Sequence, residues 1–182
     1  MDSIEVWTIG HSTRTADAFV GVLKAHGIEC VADVRRFPGS RRHPQFGHEE
    51  LARTLAGHGI DYVWLPELGG RRKADVPPAD SAWRHPSFRA YAVHLESEEF
   101  AAGLERLLHL GAACRTAMMC SELLWWRCHR ALIADVLRFR GFAVTHILSA
   151  SQRRPHPYTS PARIVDGQLV YSPDGAPPCG DC

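Results

Sequence analysis

The sequence predicts a single α/β domain: a mostly parallel sheet of about five strands, helices on both faces, and a β-hairpin near the C-terminus. Three observations point there. Short apolar, β-branched runs alternate with amphipathic stretches of about ten to fifteen residues, the rhythm of strands joined by helical crossovers. Three of the helical stretches stop at a glycine that leads straight into the next strand (Gly27, Gly59 and Gly141). Near the end, Asp166-Gly167 separates two short runs, a two-residue hairpin signal. With 182 residues, one such domain can bury its own core. We place it at residues 1–172, with 173–182 as a flexible tail.

In chain order, IEVWTI (4–9) reads as the first strand, ended by Gly10. A helix from about Thr15 puts Phe19, Val22 and Leu23 on one face. IECVADV (28–34) is the second strand, HEELARTLAGHG (48–59) a helix, and IDYVWL (60–65) the third strand. The polar, proline-rich run from Gly69 to Pro86 reads as a long surface loop, the kind that serves as a lid or binding loop. Helices are expected at 87–95 and 97–110, the second opened by Ser97 with Glu98 and Glu99 and buried through Phe100, Leu104, Leu107 and Leu108. TAMMC (116–120) is a short buried strand. MCSELLWWRCHR (119–130) then runs from that strand through a turn into the helix CHRALIADVLRFRG, and FAVTHIL (142–148) is the fifth strand. His156, Thr159 and Arg163 belong to a segment expected to fold back over the sheet edge.

Composition narrows the function classes. The chain is 45% hydrophobic and 23% charged with a net charge of +1, so no global field favours a nucleic-acid coat or a membrane surface. MDSIEVWTIGHS lacks the basic start and apolar run of a secretion signal, and no apolar stretch is long enough to span a bilayer. We expect a cytoplasmic protein whose six cysteines are reduced, with no membrane partner; oligomeric state is not legible.

Ligands of open α/β sheets bind beyond the carboxyl ends of the strands. Each predicted strand is followed there by polar groups. His11 and Ser12 follow the first; Asp33, Arg35, Arg36, Ser40 and Arg41 follow the second; Glu67, Gly69, Gly70 and Arg71 follow the third. Cys120, Ser121 and Glu122 end the fourth, with Cys128, His129 and Arg130 opening the next helix; Ser149, Ser151, Arg153 and Arg154 follow the fifth. The segments TIGHS (8–12), DVRRFPGSR (33–41), LPELGG (65–70), MCSE (119–122) and CHR (128–130) together resemble a widespread microbial family, domain of unknown function number 488. That resemblance spans nearly the whole chain and implies an α/β fold with a polar site shared by these segments. The tail CGDC (179–182) lies outside the pattern.

Three chemistries suit these residue types. Arginines and a helix N-terminus hold anions, so Ser12, Arg35, Arg36, Ser40, Cys128, His129 and Arg130 are candidate substrate contacts. Glu122 and Asp33 are candidate proton-transfer or nucleophilic carboxylates, with His11 assisting. The leading reading is therefore an enzyme, a hydrolase or transferase, acting on an anionic, nucleotide-like or nucleic-acid-derived substrate without a required cofactor. Trp125, Trp126, Trp64, Tyr62 and Trp83 offer stacking surface or plain core filling. The alternatives are a non-catalytic nucleic-acid or ligand-binding module, and a thiol or metal protein centred on Cys120 and Cys128. The thiol reading has Cys128 at a helix start beside Arg127 and Arg130. Metal is less favoured, because the two cysteines stand eight residues apart rather than in a knuckle. The bland reading pairs the arginines with Asp33, Glu67 and Glu122 as loop clamps.

Overall fold

The computed structural model describes residues 4–73 and 81–173. Part of the expected 69–86 loop (74–80) and nearly all of the expected tail, with its CGDC, lie outside the described residues. The elements are β1 (Glu5–Gly10), α1 (Ala16–Ala25), β2 (Cys30–Asp33), α2 (His48–Ala56), β3 (Asp61–Trp64), α3 (Pro86–His94), α4 (Glu98–Ala113), β4 (Thr116–Cys120), α5 (Arg130–Phe139), β5 (Ala143–Ile147), β6 (Arg153–Pro155), β7 (Arg163–Val165) and β8 (Gln168–Val170). Short 3-10 turns at Pro44–Phe46, Pro66–Leu68 and Trp125–Arg127 join them.

The main sheet has the order β3-β2-β4-β1-β5-β6. Its first five strands are parallel, and β6 pairs antiparallel with β5. The sequence does not announce β6: Arg153-Arg154-Pro155 is exposed throughout and has no apolar alternation. It forms because the chain doubles back along the edge strand, where a proline costs no ladder bond. The hairpin β7–β8 turns through Asp166 and Gly167, both at positive φ (49° and 76°) as a primed turn demands.

Local signals account for the helices. Thr15 and Ser97 cap α1 and α4, their side chains accepting from the amides of Ala18 and Phe100. Gly27, Gly59 and Gly141 all take positive φ past helix ends.

Strand alternation sorts the core into two layers. Trp7, Ile9, Val31, Ala117, Met119 and Ile147 pack with α1 and α2 around Phe19, Leu23, Phe46, Leu51 and Leu55. Val6, Ala32, Met118, Cys120 and Val144 pack on the other face, against α3, α4 and α5. Among the described residues no helix is long and apolar enough to cross a membrane.

Candidate functional site

The carboxyl ends of β1, β2 and β4 are knitted into one edge. The amides of His11 and Ser12 donate to the carbonyls of Cys120 and Ser121, and that of Val34 to Met119. Gly10 permits the closest approach: a Cβ there would sit 1.9 Å from the Glu122 carbonyl oxygen, so only glycine fits. This edge carries two polar clusters, one on each face of the sheet.

On the α1/α2 face, Asp33 is fully buried at the end of β2. Arg35 grips it with Nε at 2.8 Å from one carboxylate oxygen and Nη2 at 2.6 Å from the other, and adds its own amide at 3.1 Å. Tyr62 donates a fourth bond at 2.5 Å. His11 stacks on Phe46 with ring centroids 4.1 Å apart. Its Nδ1 lies 2.8 Å from the Ser12 carbonyl and therefore carries the proton, leaving Nε2 to accept from Arg35 Nη1 at 3.4 Å. Burial pushes the His11 pKa down to about 4, so the ring is neutral near pH 7.

On the α3–α5 face, Cys120 and Cys128 touch, sulfur to sulfur, at 2.8 Å, and both are free thiols. Arg130, 1% exposed, donates Nε to Cys120 Sγ at 2.9 Å, Nη1 to Thr8 Oγ1 at 2.9 Å and Nη2 to the Glu122 carbonyl at 2.5 Å. His129 Nε2 donates to the Val34 carbonyl at 2.8 Å, which turns Nδ1 toward Cys128 Sγ at 3.3 Å. Burial alone would raise the Cys128 pKa, but the hydrogen bond from Cys120 and the Arg130 charge outweigh it and hold the thiol below its ordinary range. Burial and that same bond push Cys120 the other way, well up. Gly70 lies against His129 so closely that a Cβ would meet Nδ1 at 2.8 Å.

A buried chain of hydrogen bonds runs on from Arg130. Thr8 Oγ1 lies 2.7 Å from His146 Nδ1, His146 Nε2 lies 2.8 Å from His156 Nδ1, and His156 Nε2 lies 2.9 Å from Asp135. One proton per ring satisfies every link: His156 donates to Asp135, His146 to His156, the Thr8 hydroxyl to His146, and Arg130 to Thr8. Thr159 (amide and hydroxyl) and Tyr171 supply the remaining donors to Asp135. Trp125 stacks flat on His146, centroids 4.3 Å apart, and burial drives the His146 pKa down to about 2. Arg130 and Asp135 are thus the two buried ends of a relay made of a hydroxyl and two imidazoles.

The edge also presents an exposed layer. Phe37 is 64% exposed and Trp126 49%. Arg36 lies over the Phe37 ring, while the guanidiniums of Arg41, Arg42, Arg71 and Arg127 have no hydrogen-bond or ion-pair partner among the described residues. Ser12 is half-buried at φ 54°, and Ser40 caps the amide of His43. Glu122 is exposed, its carboxylate accepting, among the described residues, only the Leu124 amide at 3.3 Å.

The ten residues singled out from the sequence thus reach one edge, divided between its faces and its rim. His11, Asp33 and Arg35 are together; Cys128, His129 and Arg130 are together on the opposite face; Ser12, Arg36, Ser40 and Glu122 form the accessible rim. The expected fold-back of the C-terminal segment brings His156 and Thr159 to Asp135, whereas Arg163 is exposed and donates to the carbonyls of Ser160 and Ala162. Sequence reading missed Thr8, Asp135, His146 and Tyr171. Among the described residues no group of three or more histidine, cysteine or carboxylate side chains is arranged to hold a metal ion. A groove of about 440 Å³ between α3, α5 and β8 is lined by Val93, Val136, Phe139 and Val170, away from this edge.

The fold and site define the class: a parallel α/β domain with its polar groups gathered at the carboxyl edge. Residues 15–137 match the family described as Domain of unknown function DUF488, more than half of the chain, and the protein belongs to that family. No curated protein and no solved structure matches it.

Proposed function

We propose that the rim binds an anionic, nucleotide-like or nucleic-acid-derived substrate and that Glu122 acts on it as base or nucleophile in a hydrolysis or transfer. The observation that carries this reading is the exposed layer: Phe37 and Trp126 stand open as stacking surfaces, and the guanidiniums of Arg41, Arg42, Arg71 and Arg127 have no hydrogen-bond or ion-pair partner among the described residues. Aromatic faces with uncommitted guanidiniums suit bases joined to phosphates. The net charge of +1 favours a short ligand over a long duplex.

The buried arginines support the rim rather than the ligand. Arg35 is spent on Asp33 and Arg130 on Cys120, Thr8 and Glu122, which leaves Asp33 and His11 as positioning residues. Glu122 is the rim carboxylate with room to move a proton.

The test is fluorescence anisotropy with a labelled oligothymidylate and with nucleoside monophosphates. Trp126→Ala is expected to weaken binding by about 1–3 kcal/mol, and Arg41→Ala to lower the salt slope by about 0.7. Glu122→Gln is expected to keep affinity and lose turnover of whichever ligand binds. Binding that is indifferent to Trp126, Phe37 and Arg41 overturns the reading.

A further inference from the structure

We propose that Cys120 and Cys128 are a hydroperoxide-sensitive dithiol, in which Cys128 is oxidised first and Cys120 resolves it into a disulfide. This does not depend on the ligand proposed above.

The geometry is that of a pair held ready to bond. The sulfurs stand 2.8 Å apart, against about 2.05 Å in a disulfide, so closure asks for little movement. One comes from the end of β4 and the other from the turn before α5, fixed by different backbones. The groups around them are one cation, one imidazole and one phenol. Arg130 of α5 touches Cys120 Sγ at 2.9 Å; His129 offers Nδ1 to Cys128; and Tyr91 of α3, 5.2 Å from the His129 ring, donates its hydroxyl to the Leu68 carbonyl. No carboxylate touches either sulfur among the described residues, so the guanidinium favours a thiolate against burial alone and not against a neighbouring negative charge. The other close thiols among the described residues differ. Cys30 and Cys114 lie near Asp61 and Thr116 at the amino ends of the strands, and burial, Cys114 and Asp61 push the Cys30 pKa up to about 12.

The steps balance with a hydroperoxide as oxidant. The Cys128 thiolate attacks the peroxide oxygen, the O–O bond breaks, and hydroxide leaves with Cys128 as sulfenic acid. Cys120 then attacks the sulfenic sulfur, and its thiol proton departs with the displaced hydroxyl as water. Two sulfurs are oxidised by two electrons and one peroxide is reduced. Arg130, which bonds Cys120 and the Glu122 carbonyl, carries the change to the loop bearing Glu122.

The experiment treats the full chain with stoichiometric hydrogen peroxide, quenches it under denaturing alkylation, and maps peptides by mass spectrometry without reduction. The expected product is a peptide linking Cys120 to Cys128 with loss of both thiol hydrogens, while Cys30 and Cys114 remain fully alkylated. In Cys120→Ser, a cyclic 1,3-dione is expected to trap sulfenic acid at Cys128. Recovery of Cys120 and Cys128 as free thiols, or oxidation spread evenly over Cys30 and Cys114, overturns the proposal; the wild-type map decides even if the variant fails to fold.

Discussion

Arg35 and Arg130 are both buried at the carboxyl edge of the sheet, 8% and 1% exposed, one on each face. Each must have its charge met, because arginine cannot shed its proton. Arg35 is met by Asp33 through a two-pronged contact. Among the described residues Arg130 meets no carboxylate directly; it finds a thiol, a hydroxyl and backbone carbonyls, with Asp135 at the far end of a relay. The same cation therefore does different work on the two sides. On one face it locks a loop; on the other it favours ionisation of a neighbour that is otherwise neutral near pH 7.

The strongest way to break this contrast is Asp33→Ala. It strands a buried guanidinium and is expected to cost about 3–5 kcal/mol in urea unfolding. Joining it with Arg35→Met should recover most of the loss, since neither charge then remains buried. A cost below about 1 kcal/mol for the single variant would mean that Arg35 finds other partners.

Acid is the next probe. His11 and His146 are neutral in the fold, with pKa values near 4 and 2, and burial is the first cause in each. The unfolded chain takes up protons at both as pH falls below about 6.5. Depressed histidines thus make stability rise with pH, so it is full above about 6.5 and falls toward pH 4, by at most about 3 kcal/mol from His11. His11→Phe, measured by urea midpoint against pH, should flatten part of that slope; an unchanged slope would place the titration elsewhere.

Tyr62→Phe is the gentlest variant. It removes one of the four donors to Asp33 and is expected to cost about 1 kcal/mol. A cost equal to that of Asp33→Ala would transfer the holding role from Arg35 to the phenol.

The sequence revealed the edge because strand ends in a parallel sheet share a side, and that rule needs only strand identity. It did not reveal which face each group takes. One signal was available: Asp33 and Arg35 are two apart at a strand end, hence on one face, and a carboxylate so placed meets its arginine before any ligand does. The Arg130 relay left fainter marks. Asp135 reads as the polar side of an amphipathic helix, yet it is fully buried, because the segment carrying His156, Thr159 and Tyr171 covers it. That covering depends on β6, whose three exposed residues carry no strand pattern.

The claim that Arg130 sustains a thiolate is tested most directly by ultraviolet thiolate absorbance against pH, in wild type and Cys128→Ser. The account predicts one thiol ionising below the ordinary cysteine range in wild type, and its disappearance in the variant. Wild-type titration in which no thiol ionises below about pH 8 would contradict it.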